Sequence, residues 1–324
     1  MWFLRRPISL TAASLYALVR RVRWGPRARA AGPVRPSFSV AAYPIVAALK
    51  AADAFLGPER QWRAVRTEQE RLLAGFFASG QAEIDCIPEL ESLASRDATE
   101  LNDFLALRGF PPFFTPFEEQ RFGIASVLDL LVEWAHGGHA SEIAREDGRR
   151  FPAVRIASGD VCFFRSARHR SPVARLATKS GDAVCMTMFD DPPAGLGLLE
   201  GAHELSRTGK EVHDFDGLVF PMVHLDQAVE LGWLLALAAD DEEGIPWLIE
   251  AALQRNRLRM NEIGARAESA VMVQPVAVGL GWEPKPDHVI DRSFLVWFER
   301  DGLSRPLFAA FVAEEEWRNP GAIA

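Results

Sequence analysis

The sequence predicts an α+β protein, with helices mainly in its N-terminal half and antiparallel or mixed sheets in its C-terminal half. Three observations carry this. Before residue 150 apolar positions recur at helical spacing, and after it short strand-like runs alternate with turns. Thr115, Pro116 and Glu118 form a capping-box pattern that Gly137-Gly138 would stop. Asp301-Gly302 stands between the apolar runs 293–299 and 306–313, which is a hairpin signal.

The elements follow in order. Residues 1–35 hold eight Arg and no acid. Arg5-Arg6 precede a short apolar run, Ile8 to Val19, but Arg20, Arg21, Arg23, Arg27 and Arg29 stand where a secretory leader would be cleaved. The run is too short to span a bilayer. The stretch reads as a basic, disordered leader, and it favours a cytoplasmic location over export. Residues 36–324 read as a single domain, helical over 36–150 and strand-rich over 151–324. Helices are predicted at 40–56, with Pro44 at the start and Gly57 past the end, and at 59–78, 97–108 and 115–136. Strands are predicted at 182–189, 217–226, 257–261, 293–299 and 306–313, with helices at 227–239 and 244–254 among them.

The chain carries a net charge of −8, and its leader arginines leave the remainder more acidic still. Phosphate contact needs a basic face, so nucleic acid is an unexpected partner. Cys86, Cys162 and Cys185 lack any CxxC spacing and read as buried thiols. His136-Gly137-Gly138-His139 invites a metal reading, but no carboxylate stands at ligand spacing, and a solvated helix end is the simpler account. Asp190-Asp191 precede two prolines and read as a turn. His203 and Glu204 lack the second histidine of a zincin. No nucleophile elbow or phosphate loop occurs. The expectation is a non-enzyme with no metal and no cofactor; an unrelated α+β enzyme using His136, His139 or Asp190 is the alternative.

One stretch has a pattern of its own. Asn261-Glu262-Ile263-Gly264 follows a strand-like run and opens a series of small residues. Upstream lies Phe220-Pro221-Met222-Val223-His224-Leu225-Asp226; downstream lie Asp291-Arg292-Ser293-Phe294-Leu295, Pro306-Leu307-Phe308 and Asn319-Pro320. In this order, with Glu262 preceding Phe294 by 32 positions, these segments over residues 180–320 resemble the C-terminal half of the serpins, the serine protease inhibitor family. Ala265 and Arg266 stand where that family's hinge carries Thr and Glu. The family's N-terminal and central-strand motifs find no match.

The resemblance implies a serpin-like fold with an exposed reactive-centre loop, which is cut by a protease and then inserts into a sheet as a new strand. The residues agree in parity. From Gly264, one face of such a strand would carry Ala265, Ala267, Ser269 and Val271; the other would carry Arg266, Glu268, Ala270 and Met272. Small uncharged groups therefore share one face, and the charges fall on the other. Family spacing puts the scissile bond at Val278–Gly279, in a segment that Pro275, Gly279 and Gly281 suit to cleavage. Val278 implies an elastase-like or subtilisin-like serine protease as partner, and the inhibitor is expected to be a monomer with no membrane partner. A non-inhibitory serpin-like scaffold or binding protein is the alternative within the fold.

Overall fold

The computed structural model describes residues 35–58, 60–129, 133–264 and 285–322. The basic leader up to residue 34, and Ala265, Ala267, Ser269, Val278 and Gly279 of the predicted loop, lie outside the described residues. Residues Pro36–Ala324 make one compact unit.

The chain opens with strand β1 (Phe38–Val40) and helix α1 (Tyr43–Ala51), which Pro44 starts, followed by α2 (Asp53–Leu56). Gly57 ends that run at φ +92°, a conformation glycine adopts without strain. Helices α3 (Thr67–Leu72) and α4 (Ala78–Glu83) are joined by one π-helical turn, Leu73–Phe77. Then come β2 (Leu90–Ser95), α5 (Ala98–Ala106), β3 (Arg121–Leu128), β4 (His139–Ala144) and β5 (Arg150–Ala157). Next are β6 (Val161–Arg165), β7 (Val173–Ala177), β8 (Ala183–Met188), α6 (Leu196–Thr208), β9 (Lys210–Val212), β10 (Gly217–Pro221) and β11 (Val223–Glu230). The described chain closes with β12 (Ala238–Asp240), β13 (Pro246–Met260), β14 (His288–Val289), β15 (Phe294–Glu299) and β16 (Phe308–Val312).

Three sheets result. A seven-stranded sheet runs β1-β16-β15-β8-β7-β6-β9, a four-stranded sheet β14-β10-β5-β4, and a five-stranded sheet β11-β13-β3-β2 with β12 also on β13. The Asp301-Gly302 signal holds: β15 and β16 pair antiparallel, and Gly302 turns at φ +88°. The predicted strands at 182–189, 217–226, 257–261, 293–299 and 306–313 all fall on observed strands.

Several helix expectations fail. The stretch 115–136 is not helical: residues 113–118 run as irregular chain and 121–128 are strand β3. Seven consecutive β3 residues are buried because both faces of the strand are covered, so it lacks the alternation that separates a strand from a buried helix. Of the stretches 227–239 and 244–254, residues 227–230, 238–239 and 246–254 lie instead in β11, β12 and β13, with one 3-10 turn at Gly232–Leu234 between them. Tertiary pairing overrides the helix preference of their Leu, Ala and Glu residues, and a register shift between Ile249 and Ala251 breaks the period-two pattern. Helix α6 was not legible, having two internal glycines. Residues 36–149 thus hold strands β1 to β4 beside the five short helices α1 to α5, so the helical character of this part is confined to residues before 107. Cys86 and Cys162 are exposed, and only Cys185 is buried.

Candidate functional site

The predicted hinge grows directly out of β13. From Gln254 to Met260 that strand alternates: Gln254, Asn256, Leu258 and Met260 are buried, while Arg255, Arg257 and Arg259 face outward half-buried. Beyond Met260 the chain reverses. Gly264 N donates to Asn261 O at 3.3 Å, and Ile263 N donates to Asn261 Oδ1 at 3.0 Å, so the Asn261 side chain closes its own turn. Asn261 and Gly264 form an antiparallel bridge across the reversal.

Two glycines make this turn possible. Gly264 has φ +77°, and a Cβ there would lie 2.3 Å from Trp134 N and 2.7 Å from Glu133 Cα. Both obstacles are backbone, so they cannot swing aside. Trp134, itself buried, donates its indole N–H to Asn261 O at 2.9 Å. Gly138 N donates to Glu262 O at 2.7 Å, and a Cβ on Gly138 would meet Val154 Cγ1 at 2.5 Å. The His136–His139 stretch therefore supports the hinge. His136 is exposed and its Nδ1 lies 2.7 Å from Asp160 Oδ1. Among the described residues no group of three or more His, Cys, Asp or Glu could hold a metal ion.

β13 is flanked by β11, antiparallel, and by β3, parallel, with Leu248 to Asn256 in register with Arg121 to Leu128. The β3–β13 ladder is the parallel pair of this sheet; β2 and β12 pair antiparallel. Beneath it the interior is polar. Gln254 donates from Nε2 to Ala41 O at 2.8 Å and accepts from Ala41 N at 3.3 Å. Asn256 donates from Nδ2 to Ser39 Oγ at 3.0 Å and to Gln254 Oε1 at 3.3 Å, and Ser39 in turn donates to Gln227 Oε1 at 2.8 Å. The Asn256 carbonyl oxygen Oδ1 is buried with no hydrogen-bond partner.

The outer face of the pair is covered by α5 and the chain after it. Asp97 caps α5, accepting from Thr99 N at 2.8 Å. Asn102 holds the following segment by accepting from Phe113 N and Phe114 N, both at 2.9 Å. Leu101, Phe114 and Phe117 sit directly over Gly123 of β3, where a Cβ would strike them at 2.7, 3.1 and 2.5 Å. The Arg255 and Arg257 guanidiniums lie over the Phe110 ring at 4.6 and 4.3 Å.

Lys285 lies beside the four-stranded sheet. Lys285 N donates to Asp216 Oδ2 at 2.6 Å, and Asp287 accepts from Arg155 Nε and Nη2 at 2.7 and 3.0 Å. The next residue, His288, begins β14 parallel to β10. Its ring is buried against Phe163 and Phe215, and burial pushes its pKa down from 6.5 to about 4, with Arg165 lowering it further and Asp291 opposing.

Of the predicted site residues, Glu262 and Gly264 are thus brought together with Trp134, Gly138 and Asn261. Reasoning from sequence missed Gly138, Gln254 and Asn256. The signal for the last two was available, since buried and arginine positions alternate from Gln254 to Met260.

A sheet whose parallel pair lies over a polar interior, entered by a tight glycine turn, defines a class of α+β fold built around one long central strand. The fold as a whole is similar to that of solved serpins. No protein-family model matches the sequence, and no curated protein matches it significantly. Among solved structures it is similar to thyroxine-binding globulin in complex with thyroxine, at 13% identity and TM-score 0.53, covering 86% of this chain and 92% of that one. It is similar to the thermophilic serpin tengpin in its native state, at 10% identity and TM-score 0.55, covering 86% and 89%. It is also similar to SRPN18 from Anopheles gambiae, at 11% identity and TM-score 0.55, covering 88% and 93%. The chain therefore has a serpin-like fold, in divergent form.

Proposed function

We propose that this chain is a suicide-substrate inhibitor of a serine protease, cut at Val278–Gly279, whose segment from Ala265 to Val278 then enters the five-stranded sheet between β3 and β13. The observation that carries the reading is the Asn261–Gly264 reversal at the end of β13. A chain turning back there must run antiparallel to β13, and the sides of β13 are taken by β11 and β3. Entry beside β3 exchanges one parallel pairing for two antiparallel ones, the pattern with the straighter hydrogen bonds. The protease serine attacks the Val278 carbonyl, the bond to Gly279 breaks with its nitrogen leaving as the amine, and the acyl-enzyme ester forms. Insertion before hydrolysis carries the attached protease away from the loop's starting position.

The bridge also supplies a register that supports the sequence parity independently. Asn261 opposite Gly264 continues as Met260 opposite Ala265, Leu258 opposite Ala267 and Gln254 opposite Val271. The inward side chains of β13 then meet the small uncharged face, and Arg257 meets Glu268 across the outer face. The same register sets Arg266 opposite Arg259, a like-charge pair that favours a second reading: a non-inhibitory, serpin-like binding scaffold.

The test is melting temperature before and after cutting near Val278. The cut wild type and Arg266→Glu should melt well above their uncut forms. Ala267→Glu should not, because an unpaired carboxylate in the sheet interior costs several kcal/mol. Incubation with elastase-like and subtilisin-like proteases should also yield a complex stable to denaturing electrophoresis. A cut wild type that melts no higher than the uncut chain removes insertion and leaves the scaffold reading.

A further inference from the structure

The outer face of the β3–β13 pair bears a cavity of about 140 Å³ beside the chain that follows α5. Its apolar walls are Phe110, Val127 and Leu128, all buried. Three guanidiniums line the rest: Arg108 from the turn after α5, and Arg255 and Arg257 from β13. Their donors exceed the acceptors that meet them. Arg108 Nε and Arg255 Nε are both buried with no hydrogen-bond partner among the described residues. The Arg108 head is bound to Glu91, and Arg257 Nε donates to Asp226 Oδ2 at 3.2 Å. The Asp226 oxygen that faces Arg255 lies 3.6 Å from its Nη2, which is past hydrogen-bond reach. The Arg255 side chain is only 17% exposed, so water offsets little of this deficit. One carboxylate shared between Arg255 and Arg257 leaves the wall with a positive charge in excess. Asp129, the remaining acid on the rim, is exposed to solvent.

We infer that this cavity binds a small monocarboxylic acid with a compact apolar or aromatic body. The carboxylate meets the Arg255 guanidinium, whose planar fork suits a two-oxygen acceptor. The body rests on Phe110, Val127 and Leu128. An apolar cavity of about 150 Å³ holds one benzene ring, which sets the size class at that of benzoate. An inorganic anion would satisfy the arginines and leave the apolar walls unused. A neutral aromatic would fill the walls and leave the guanidiniums unpaired. Because Val127 and Leu128 belong to β3 and two of the arginines to β13, the bound acid joins the two strands on their outer face. The site uses no residue of the segment 265–284 and stands apart from the insertion reading.

The test is calorimetric titration of the full chain with sodium benzoate, beside benzamide, acetate and inorganic phosphate. Benzoate should bind at one site. Each of the others should bind at least about tenfold more weakly, having lost either the charge-assisted hydrogen bonds or the apolar body. Arg255→Met keeps an apolar stem on Phe110 while removing the charge, and should weaken benzoate by about tenfold or more. If that variant does not fold, the wild-type chain still decides. Its Arg255 Nε–H resonance should move on adding benzoate, while that of Arg63, in its pair with Asp240, should stay in place. Any one of four results overturns the proposal: no binding of benzoate, equal binding of benzamide, equal binding of acetate or phosphate, or an unmoved Arg255 resonance. Unchanged benzoate affinity in a folded Arg255→Met chain overturns it as well.

Discussion

The five-stranded and seven-stranded sheets are held together differently. In the seven-stranded sheet every pair among the described strands is antiparallel, and β15 and β16 bury Phe294, Trp297, Phe311 and their neighbours almost completely. Around the β3–β13 pair of the other sheet the interior holds Ser126, Gln254 and Asn256, one acceptor is unpaired, the ladder is parallel, and its register shifts at Ile249. The first region gains its stability from apolar packing that has no alternative arrangement. The second contains polar groups that can exchange partners, so separating its strands costs less than the same area of apolar core would. One sheet is a fixed frame; the other has a seam.

The largest expected effect tests the frame. Trp297→Ala should destabilise the uncut chain by about 4 kcal/mol, since it empties a fully buried site and removes the indole bond to Ser206 Oγ, measured as a fall in denaturant midpoint. A loss no larger than that of a surface substitution would break the contrast.

The next effect depends on pH. His288 has its pKa pushed from 6.5 down to about 4, so between those values the unfolded chain binds a proton that the folded one refuses. Stability is therefore present above pH 6.5 and lost as the pH falls toward 4, by up to about 3 kcal/mol from this side chain. His169, His203 and His224, each also held below the ordinary range by burial, act in the same direction. His288→Phe should flatten part of the difference between urea midpoints at pH 7.5 and pH 5; an unchanged difference would mean that other groups carry the acid sensitivity.

The smallest of the three concerns the turn at the seam. Gly264→Ala combines a positive φ with a backbone collision, and it should cost about 2 kcal/mol. Hydrogen exchange should show faster exchange at Gly138 and Gly264 while the amides of β15 and β16 keep their protection. Acceleration spread evenly over both sheets would show that the two regions do not open separately.

The frame was more legible in the sequence than the seam. Asp301-Gly302 and its flanking apolar runs are local signals, and the pairing they predict is between neighbours in the chain. β3 and β13 are joined across more than a hundred positions; one is buried on both faces, and the other alternates only beyond Gln254, after its register shift at Ile249. The turn at Asn261–Gly264 is a local feature, and these residues are singled out by the resemblance of the segments around them rather than by a turn signal. Its supports were not legible, because Trp134 and Gly138 reach it from more than a hundred positions away, and their stretch reads as a helix ending in a solvated glycine pair.

One bond of the hinge has a mechanical meaning. Gly138 immediately precedes β4, which pairs with β5, which pairs with β10, which pairs with β14. The Gly138–Glu262 bond therefore ties the start of the segment 265–284 to the sheet that also receives its end. β14 is the edge strand of that sheet, and the Arg155–Asp287 bridge and the buried His288 hold it there. The turn after β13 and the strand after Lys285 are thus two fastenings on one plate, so a pull on either is carried by the same hydrogen-bonded sheet.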